Sequence, residues 1–316
     1  MSFKKPDYLG RVLDSHRMNH IDSLIDKFKI KRTEIKEKLE HEYGDKIYSP
    51  FNSGSWKKYT AINSKFDLDI VIPFKRNSFS TIVDMFDNLY EFLREEYKGL
   101  AHVRPQKVSI GIEFYADEDG DKIQIDVVPG RELSQDDFLV TNKLNLNINT
   151  YDGNYIQTNI EEQIKNIKGK SDAREIIRLL KIWKQQQNKD IKSFFMELIV
   201  IKAFDNKIIT GNLWEKLKIV LEYISEEVTK DRFTLIDPGN SNNDVGTSLS
   251  SFQKQSLKNS IEYILDDVER KDENLKNHFN QNEKFKVEEK ANESNSSGYK
   301  VGDTSKAIIP PSNQFG

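Results

Sequence analysis

Two carboxylates interrupt one hydrophobic stretch of this chain. Asp67 and Asp69 alternate with apolar residues in the segment 66–72, FDLDIVI. Successive side chains of a strand point to opposite faces, so both carboxylates are expected on one face, roughly 7 Å apart. Like charges this close repel each other unless cations lie between them, and carboxylate oxygens suit Mg²⁺. The alternation therefore predicts a metal site on a buried strand.

A Gly-Ser pair stands just ahead of this strand. Gly54 and Ser55 begin the run GSWKKYTAI and are expected to open a short helix. The free N–H groups and the dipole at a helix N-terminus attract a phosphate. Either short motif alone would be ascribed to chance, with Asp-x-Asp ending an edge strand and Gly-Ser forming a loop. Together, in this order, they predict a nucleotide site.

A third acid lies in a later apolar segment. Asp126 is flanked by Ile125 and Val127 in the run KIQIDVVP. We expect two strands here, at 108–115 and 122–129, joined by the turn ADEDGD. Asp126 is therefore a second case of an acid within a strand that should be buried.

Helical segments must position these strands. The apolar spacing predicts a long amphipathic helix from about Asp7 to Tyr43, ending at Gly44. The polar run 141–158 is typical of a loop, and helices dominate from Ser171 onwards, including an apolar segment at 193–204. The predicted organisation is a spine helix (1–45), a catalytic core (46–140), a helical lobe (141–270) and a flexible tail (271–316).

Composition excludes several classes of protein. The chain has 316 residues, 36% of them apolar and 31% charged, which is typical of a globular protein that carries a disordered segment. A net charge of −3 gives no general attraction for nucleic acid, and the lack of cysteine excludes disulfides and Cys-type zinc modules. No signal peptide or membrane span is expected, so the sequence predicts a cytoplasmic protein.

Taken together, the motifs resemble the DNA polymerase beta-type nucleotidyltransferase superfamily. Its marks here are Gly-Ser, Asp-x-Asp and the third Asp. Later motifs narrow the resemblance, over roughly residues 10 to 270, to the family of 2'-5' oligoadenylate synthase, cyclic GMP-AMP synthase and the bacterial cyclic-oligonucleotide synthases (CD-NTases). These motifs are RLLKIWK, the Ser193-Phe194 pair before MEL, and the segment with Asp237, Pro238, Asn242 and Asn243.

Two departures from the family pattern stand out. Tyr59 occupies a position, before Thr60, where bacterial members often have Gly. No cysteine is present for the zinc insertion of the animal DNA sensor, which argues against double-stranded DNA as an activator.

The resemblance implies an α+β, bilobal polymerase beta-like fold with a small mixed sheet, a helical lobe and a disordered C-terminal tail. It implies that Asp67, Asp69 and Asp126 are catalytic and hold two Mg²⁺ ions, with Mn²⁺ as an alternative. The expected reaction joins nucleoside triphosphates into a cyclic di- or oligonucleotide second messenger, releasing pyrophosphate, in bacterial anti-phage signalling. The nucleotide-binding residues that it implies are Gly54, Ser55, Lys181, Ser193 and Phe194.

Plainer interpretations exist for several of these residues. Lys181 and Lys184 are spaced one turn apart, and such lysines more often lie on a solvated helix face than bind a phosphate. Phe194 is as typical of a core residue as of one that stacks on a base. Glu197 is expected to hydrogen-bond a helix end or an arginine across the lobe. Asn242 and Asn243 are expected to form a turn that caps the last helix.

Three other functions are alternatives to the synthesis of a cyclic product. They are synthesis of a linear oligonucleotide, nucleotidyl transfer to RNA or protein, and a catalytically inactive scaffold of the same fold. The expected partners are nucleoside triphosphates, with no membrane and no strong binding of double-stranded nucleic acid.

The C-terminal segment resembles a further kind of site. About forty polar residues, typical of a disordered tail, end in Phe315-Gly316. Some bacterial relatives are regulated by ubiquitin-like conjugation at such a terminus, so Gly316 is a candidate for it, with a solubilising tail as the alternative.

Overall fold

The computed structural model describes residues 3–134, 144–149 and 155–287. In these ranges the α-helices are α1 (Lys5–Ser15), α2 (Asp22–Tyr43), α3 (Gly54–Lys57), α4 (Ile82–Glu96), α5 (Ile160–Ile167), α6 (Ser171–Gln186), α7 (Ser193–Asn206), α8 (Leu213–Glu227), α9 (Ser251–Arg270) and α10 (Leu275–His278). The strands are β1 (Phe51–Ser53), β2 (Leu68–Phe74), β3 (Ala101–Pro105), β4 (Ile110–Phe114), β5 (Gln124–Glu132), β6 (Leu146–Asn149), β7 (Tyr155–Thr158), β8 (Ile236–Asp237) and β9 (Asn240–Asp244).

Strand β5 organises the main sheet. It pairs in parallel with β2 along the whole length of β2, from Leu68↔Ile125 to Phe74↔Arg131. Its other edge is shared, because β4 pairs antiparallel with the first half and β6 with the second half. The order β1-β2-β5-β4-β3, with β6 and β7 continuing from β5, confirms the predicted small mixed sheet.

One hydrophobic core lies between this sheet and two helices. Apolar residues of β2 and β5 are almost fully buried, and they pack with residues from α2 and α4. Strands buried on their faces read as near-continuous apolar runs, which is why FDLDIVI stands out in the sequence. The acids of these strands are therefore held on rigid, well-packed elements.

A second core fills the helical lobe. It combines residues of α6, α7, α8 and α9, and α7 is buried on nearly all sides as its composition predicted. The two separate cores confirm the predicted bilobal α+β fold. No helix among the described residues is long and apolar enough to cross a membrane.

The predicted single helix from Asp7 to Tyr43 is wrong. It is broken between α1 and α2 by a short 3-10 turn at Met18–Ile21, and α1 packs in the helical lobe against α6 and α8. Asn63 explains why the break is stable, because its Nδ2 donates to the carbonyl oxygens of Ser15 and Arg17. Ser15 is the last residue of α1, where carbonyls lack an intrahelical partner, and the Arg17 carbonyl also accepts from His20 N at 3.4 Å. Gly44 does end α2, with a φ of +48°.

Strands replace part of the predicted loop at 141–158. β6 and β7 pair with each other and extend the sheet from β5, while residues 150–154 lie outside the described ranges. β3, which the sequence did not predict, pairs with β4. The strands predicted at 108–115 and 122–129 are confirmed. They are β4 and β5, and their bounds differ from the predicted ones by a few residues.

The predicted tail begins too early. Residues beyond Arg270 return to the helical core, where Leu275 and Phe279 are fully buried. His278 Nε2 lies 2.9 Å from Asp267 Oδ2, and the ring of Phe285 stacks on His20. Residues 288–316, including the Gly316 predicted as a conjugation site, lie outside the described part of the chain.

Candidate active site

A cleft of about 690 Å³ lies between the acid-bearing part of the sheet and helices α6 and α7. Gly54-Ser55 at the start of α3 and Asp67 and Asp69 around the start of β2 line one wall. The helical lobe provides the other wall. Seven of the eight residues predicted for the site line this cleft, namely Gly54, Ser55, Asp67, Asp69, Lys181, Ser193 and Phe194.

The eighth, Asp126, lies beside Asp69. The two are register partners on the parallel strands β2 and β5. Register partners on adjacent strands are about 4.8 Å apart and project from the same face of the sheet. Asp67 immediately precedes β2. The structure therefore brings the three predicted acids together.

Burial and nearby negative charge make Asp69 and Asp126 costly to ionise. The pKa of Asp69 is raised to about 7, first by burial and then by Asp67 and Asp126. Burial, followed by Asp67, also raises the pKa of Asp126. None of the three forms an ion pair with a basic side chain in the ranges that the structure describes. The cations Lys58 and Lys181 attract the Asp69 charge only from a distance, and an acidic cluster of this kind fits a bound cation.

Gly54 makes a close approach to Asp69. Its φ is +69°, and a Cβ built on it would lie 1.6 Å from Asp69 Oδ2. Any larger residue would displace the carboxylate, so glycine is required here for space as well as for backbone conformation. This contact explains why the Gly-Ser pair and the Asp-x-Asp strand occur in one stretch.

Tyr59 adopts the left-handed conformation that glycine favours, with a φ of +57°. The turn directs Thr60 inward, where Lys181 Nζ donates to Thr60 O at 3.0 Å and to Thr60 Oγ1 at 3.1 Å. Lys181 is almost fully buried, and burial lowers its pKa to about 8. The predicted phosphate ligand is thus a buried cation fixed at the floor of the cleft and is not part of a solvated helix face.

Lys58 was missed by the sequence analysis. Its Nζ donates to Glu197 Oε1 at 2.7 Å, and both side chains are buried. The same Nζ lies 4.7 Å from the centre of the Phe194 ring. Glu197 therefore has a structural partner, as predicted, but that partner is the lysine that directly follows α3. The two residues are 139 positions apart, so no local pattern could have indicated the pair.

Ser193 and Lys184 lie together at the mouth of the cleft. Lys184 Nζ donates weakly to Ser193 Oγ at 3.4 Å. Burial and the nearby Lys65 lower the pKa of Lys184. Phe194, one residue on, packs partly against the helical core and also lines the cleft. Both interpretations of Phe194 made from the sequence thus agree with its position.

Two glutamines hold Asp126 in place. Gln106 Nε2 donates to Asp126 Oδ1 at 3.1 Å and Gln124 Nε2 donates at 3.4 Å. A Cβ at Gly111 would lie 2.4 Å from Gln106 Nε2, so glycine leaves room for that amide. No sequence pattern indicates these two residues, because glutamine is mostly an exposed residue type.

Another acidic group lies on the β4–β5 hairpin. Asp117, Asp119 and Asp121 each receive a hydrogen bond from Lys27 Nζ, at 2.7, 2.6 and 2.6 Å. The amine occupies the place where a cation would bind. We interpret this group as a link between α2 and the hairpin.

Comparison with known proteins agrees with this geometry. Residues 12–171 match the family described as Second Messenger Oligonucleotide or Dinucleotide Synthetase domain, SMODS. The chain is 25% identical over 229 residues to the cyclic AMP-AMP-AMP synthase of Escherichia coli strain MS 115-1, covering 67% of this chain and 68% of the relative. It is 25% identical over 214 residues to the CBASS oligonucleotide cyclase CdnC of E. coli strain KTE188, covering 64% and 65%.

A solved structure shows the same fold. The structure of E. coli MS115-1 CdnC with ATP superimposes with a TM-score of 0.66 at 20% identity, over 85% of this chain and 92% of that one. The family match covers half of the chain and includes α3, the three acids and the whole described sheet. The chain belongs to the SMODS family of cGAS/DncV-like nucleotidyltransferases (CD-NTases), the family that its motifs resemble.

Proposed function

We propose that this chain joins nucleoside triphosphates into a cyclic oligonucleotide and releases pyrophosphate. The observation that carries the proposal is the pairing of Asp69 with Asp126 on adjacent parallel strands, with Gly54 in contact with Asp69. Family membership supports it, as do the names of the relatives, a cyclic AMP-AMP-AMP synthase and an oligonucleotide cyclase.

The acids fit the metal ions on which this family depends. Asp67, Asp69 and Asp126 would hold them, and we propose two Mg²⁺ ions, since hard carboxylate oxygens without a basic partner suit that cation. Two such ions, when bound, would lower the pKa of an attacking hydroxyl and neutralise charge on a leaving pyrophosphate.

The protein's own residues would position the reactants. Ser55 and the backbone at Gly54 would contact phosphate oxygens, and Lys181 and Ser193, which line the same cleft, would contact them from the helical lobe. Asp126 is the proposed acceptor of the proton of the attacking ribose hydroxyl, since the amides of Gln106 and Gln124 fix its orientation. The hydroxyl oxygen then bonds to the α-phosphorus as the bond to pyrophosphate breaks.

The test uses the purified full chain with labelled ATP, GTP, CTP and UTP in Mg²⁺, followed by phosphatase. A cyclic product has no terminal phosphate and is therefore resistant to the phosphatase. We expect Asp69→Asn and Asp126→Asn each to lower product formation by about 10³-fold or more, because each removes a ligand of the reaction's charge-neutralising ions.

Asp119→Asn is the matched control. Asp119 is an exposed acid of the hairpin, outside the cleft, so this variant should keep full turnover. Retained turnover in Asp69→Asn would overturn the assignment. Phosphatase-sensitive product would indicate a linear oligonucleotide, and label transferred to added RNA or protein would indicate those acceptors. Nucleic-acid binding without any turnover would indicate an inactive scaffold.

We further propose a role in anti-phage signalling, because one relative is named a CBASS oligonucleotide cyclase. Cells that express the wild-type chain with its neighbouring genes should survive phage infection better than cells that express Asp69→Asn. Equal survival would contradict this role without affecting the chemistry.

A further inference from the structure

The segment Asp237–Asn243 has no part in the proposed chemistry. It forms the hairpin of β8 and β9, which packs against β7 and the start of α5. The contact is tight, since a Cβ on Gly239 would lie 2.5 Å from both the N and the O of Asn159. The last long helix, α9, is capped by Ser250, so the predicted capping role of Asn242 and Asn243 is wrong.

Asp237 is the centre of a buried polar network. It is 2% exposed, and donors surround its carboxylate. Oδ1 accepts from Gly239 N at 2.8 Å, and Oδ2 accepts from Thr158 Oγ1 at 2.8 Å and from Asn243 Nδ2 at 3.1 Å. Gln163 Nε2 donates to both carboxylate oxygens, at 3.1 and 3.2 Å.

This network fixes the orientation of the Gln163 amide. Gln163 Nε2 also donates to Thr158 Oγ1 at 2.9 Å, and the Thr158 hydroxyl proton is already committed to Asp237. Every neighbour on this side of the amide is therefore an acceptor. A flipped amide would place Oε1 against these acceptors, so the network selects the form with Nε2 inward.

Gln163 lines the same cleft as Asp69 and Phe194. The network holds the NH₂ group of Gln163. Its carbonyl oxygen therefore remains for a ligand, and this oxygen can only accept a hydrogen bond. An acceptor held in a fixed orientation selects a ligand with a matching donor, because rotation of the side chain cannot turn it into a donor.

We propose that Gln163 contacts the base of a bound nucleotide and favours bases that carry an exocyclic amine. Adenine, guanine and cytosine offer such an amine on their pairing edge, whereas uracil does not. Asp237 is a positioning residue that acts through Gln163. The proposal rests on the cleft being a nucleotide site and adds the part of the substrate that the side chain recognises.

The test compares nucleotides that differ by one amine. Dissociation constants of ATP and purine riboside triphosphate, and of GTP and ITP, are measured by calorimetry with Ca²⁺ replacing Mg²⁺. Wild type should bind the amine-bearing member of at least one pair about three- to tenfold more tightly, the usual range for one neutral hydrogen bond. Gln163→Leu should bring that ratio to about one.

Gln255→Leu is the matched control, because Gln255 lies on the exposed face of α9, outside the cleft, and should leave the ratio unchanged. Asp237→Asn should lower the ratio, since its amide can also donate and permits Gln163 to flip. If that variant fails to fold, Gln163→Leu still decides. A wild-type ratio of one in both pairs, or an unchanged ratio in Gln163→Leu, would overturn the inference.

Two further outcomes separate this inference from the proposed reaction. Discrimination between the nucleotides without any pyrophosphate release would support the role of Gln163 and contradict the proposed catalysis. Pyrophosphate release without discrimination would do the opposite.

Discussion

Asp69 is the residue whose ionisation most affects the site. Asp69 lines the cleft and is only partly exposed, and burial together with Asp67 and Asp126 raises the pKa of its carboxyl, so the charged form costs free energy in the folded chain. The same charge is what a divalent cation would bind. Stability and metal binding should therefore respond to pH in opposite directions at this residue.

The first prediction concerns stability against pH without metal. The pKa of Asp69 is about 7 in the folded chain and about 3.9 when unfolded, so the folded state binds more protons between these values. Its contribution to stability is thus present below about pH 4 and is lost as pH rises towards 7. Asp69→Asn should exceed the wild type in free energy of unfolding at pH 8 by about 1–4 kcal/mol, and by much less at pH 4.5.

Thermal melts in chelator at the two pH values measure this difference. Mg²⁺ at pH 8 should raise the melting temperature of the wild type more than that of the variant, because binding to the folded state alone stabilises it. A constant difference between the two proteins across pH would contradict the raised pKa.

The second prediction concerns Gly54→Ala. The new Cβ would overlap Asp69 Oδ2 and would sit at a φ of +69°, so we expect a loss of about 1–3 kcal/mol in stability and loss of turnover. Gly10→Ala is the control, since Gly10 lies in α1 with no atom within 4 Å of the added methyl. Calorimetric melts and the nucleotide assay measure both. A fully active Gly54→Ala would mean that the carboxylate position is not critical.

At this scale the sequence predicted residues whose types are unusual for their place. Acids in an apolar run, such as Asp69 and Asp126, are visible without a structure. Lys58, Gln106 and Gln163 were not predicted, because each is an ordinary surface type and acquires its role from a partner far away in the chain.

Between elements, the Lys58–Glu197 pair joins the residue that directly follows α3 to α7 across the cleft. Both charges are buried, and Lys58 also covers the ring of Phe194. Buried pairs are sensitive to the loss of one member, since the other is left as an unpaired charge. The position of α3, and with it Gly54-Ser55, depends on this link to the helical lobe.

The third prediction is that Lys58→Met destabilises the chain by about 3–5 kcal/mol, and that adding Glu197→Leu restores much of the loss. Urea unfolding of the single and double variants measures the effect. Lys218→Met is the control, because its pair with Glu222 is exposed and should be worth no more than about 1 kcal/mol. Equal losses in Lys58→Met and Lys218→Met would contradict the importance of burial.

Periodicity predicted the elements that are long or strongly apolar. β2, β5, α4 and α7 follow from apolar spacing alone. β3, β6 and β7 have four or five residues and few apolar positions, so their pairing depends on partners that the sequence does not reveal. The break between α1 and α2 depends on Asn63, which lies in another segment.

In the whole molecule, the last described segment of the chain packs against the first helix. The segment after Arg270 packs on α1, where Tyr8 Oη donates to Phe279 O at 2.7 Å. Asn282 Nδ2 donates to Asn63 Oδ1 at 2.8 Å beside the same helix. The family resemblance predicted two lobes, but it could not predict this closure because the residues involved read as polar tail.

The fourth prediction compares chains ending at Arg270 and at Val287. Loss of the buried Leu275 and Phe279 should lower the free energy of unfolding of the shorter chain by about 3–6 kcal/mol. The chain ending at Val287 should melt close to the full-length protein. Circular dichroism melts of the three proteins measure this, and equal melting temperatures would show that the segment 271–287 contributes nothing.

The parallel register of β2 and β5 limits where the chain can change in length. One residue inserted in β5 before Asp126 would turn that side chain to the other face of the sheet, and two would move it by about 6.6 Å along the strand. The chain next to Ile208, between α7 and α8, has no such restriction, since this side chain is exposed and the helices on either side are fixed by their own packing. Insertions in the strands should therefore abolish turnover, whereas insertions next to Ile208 should be tolerated.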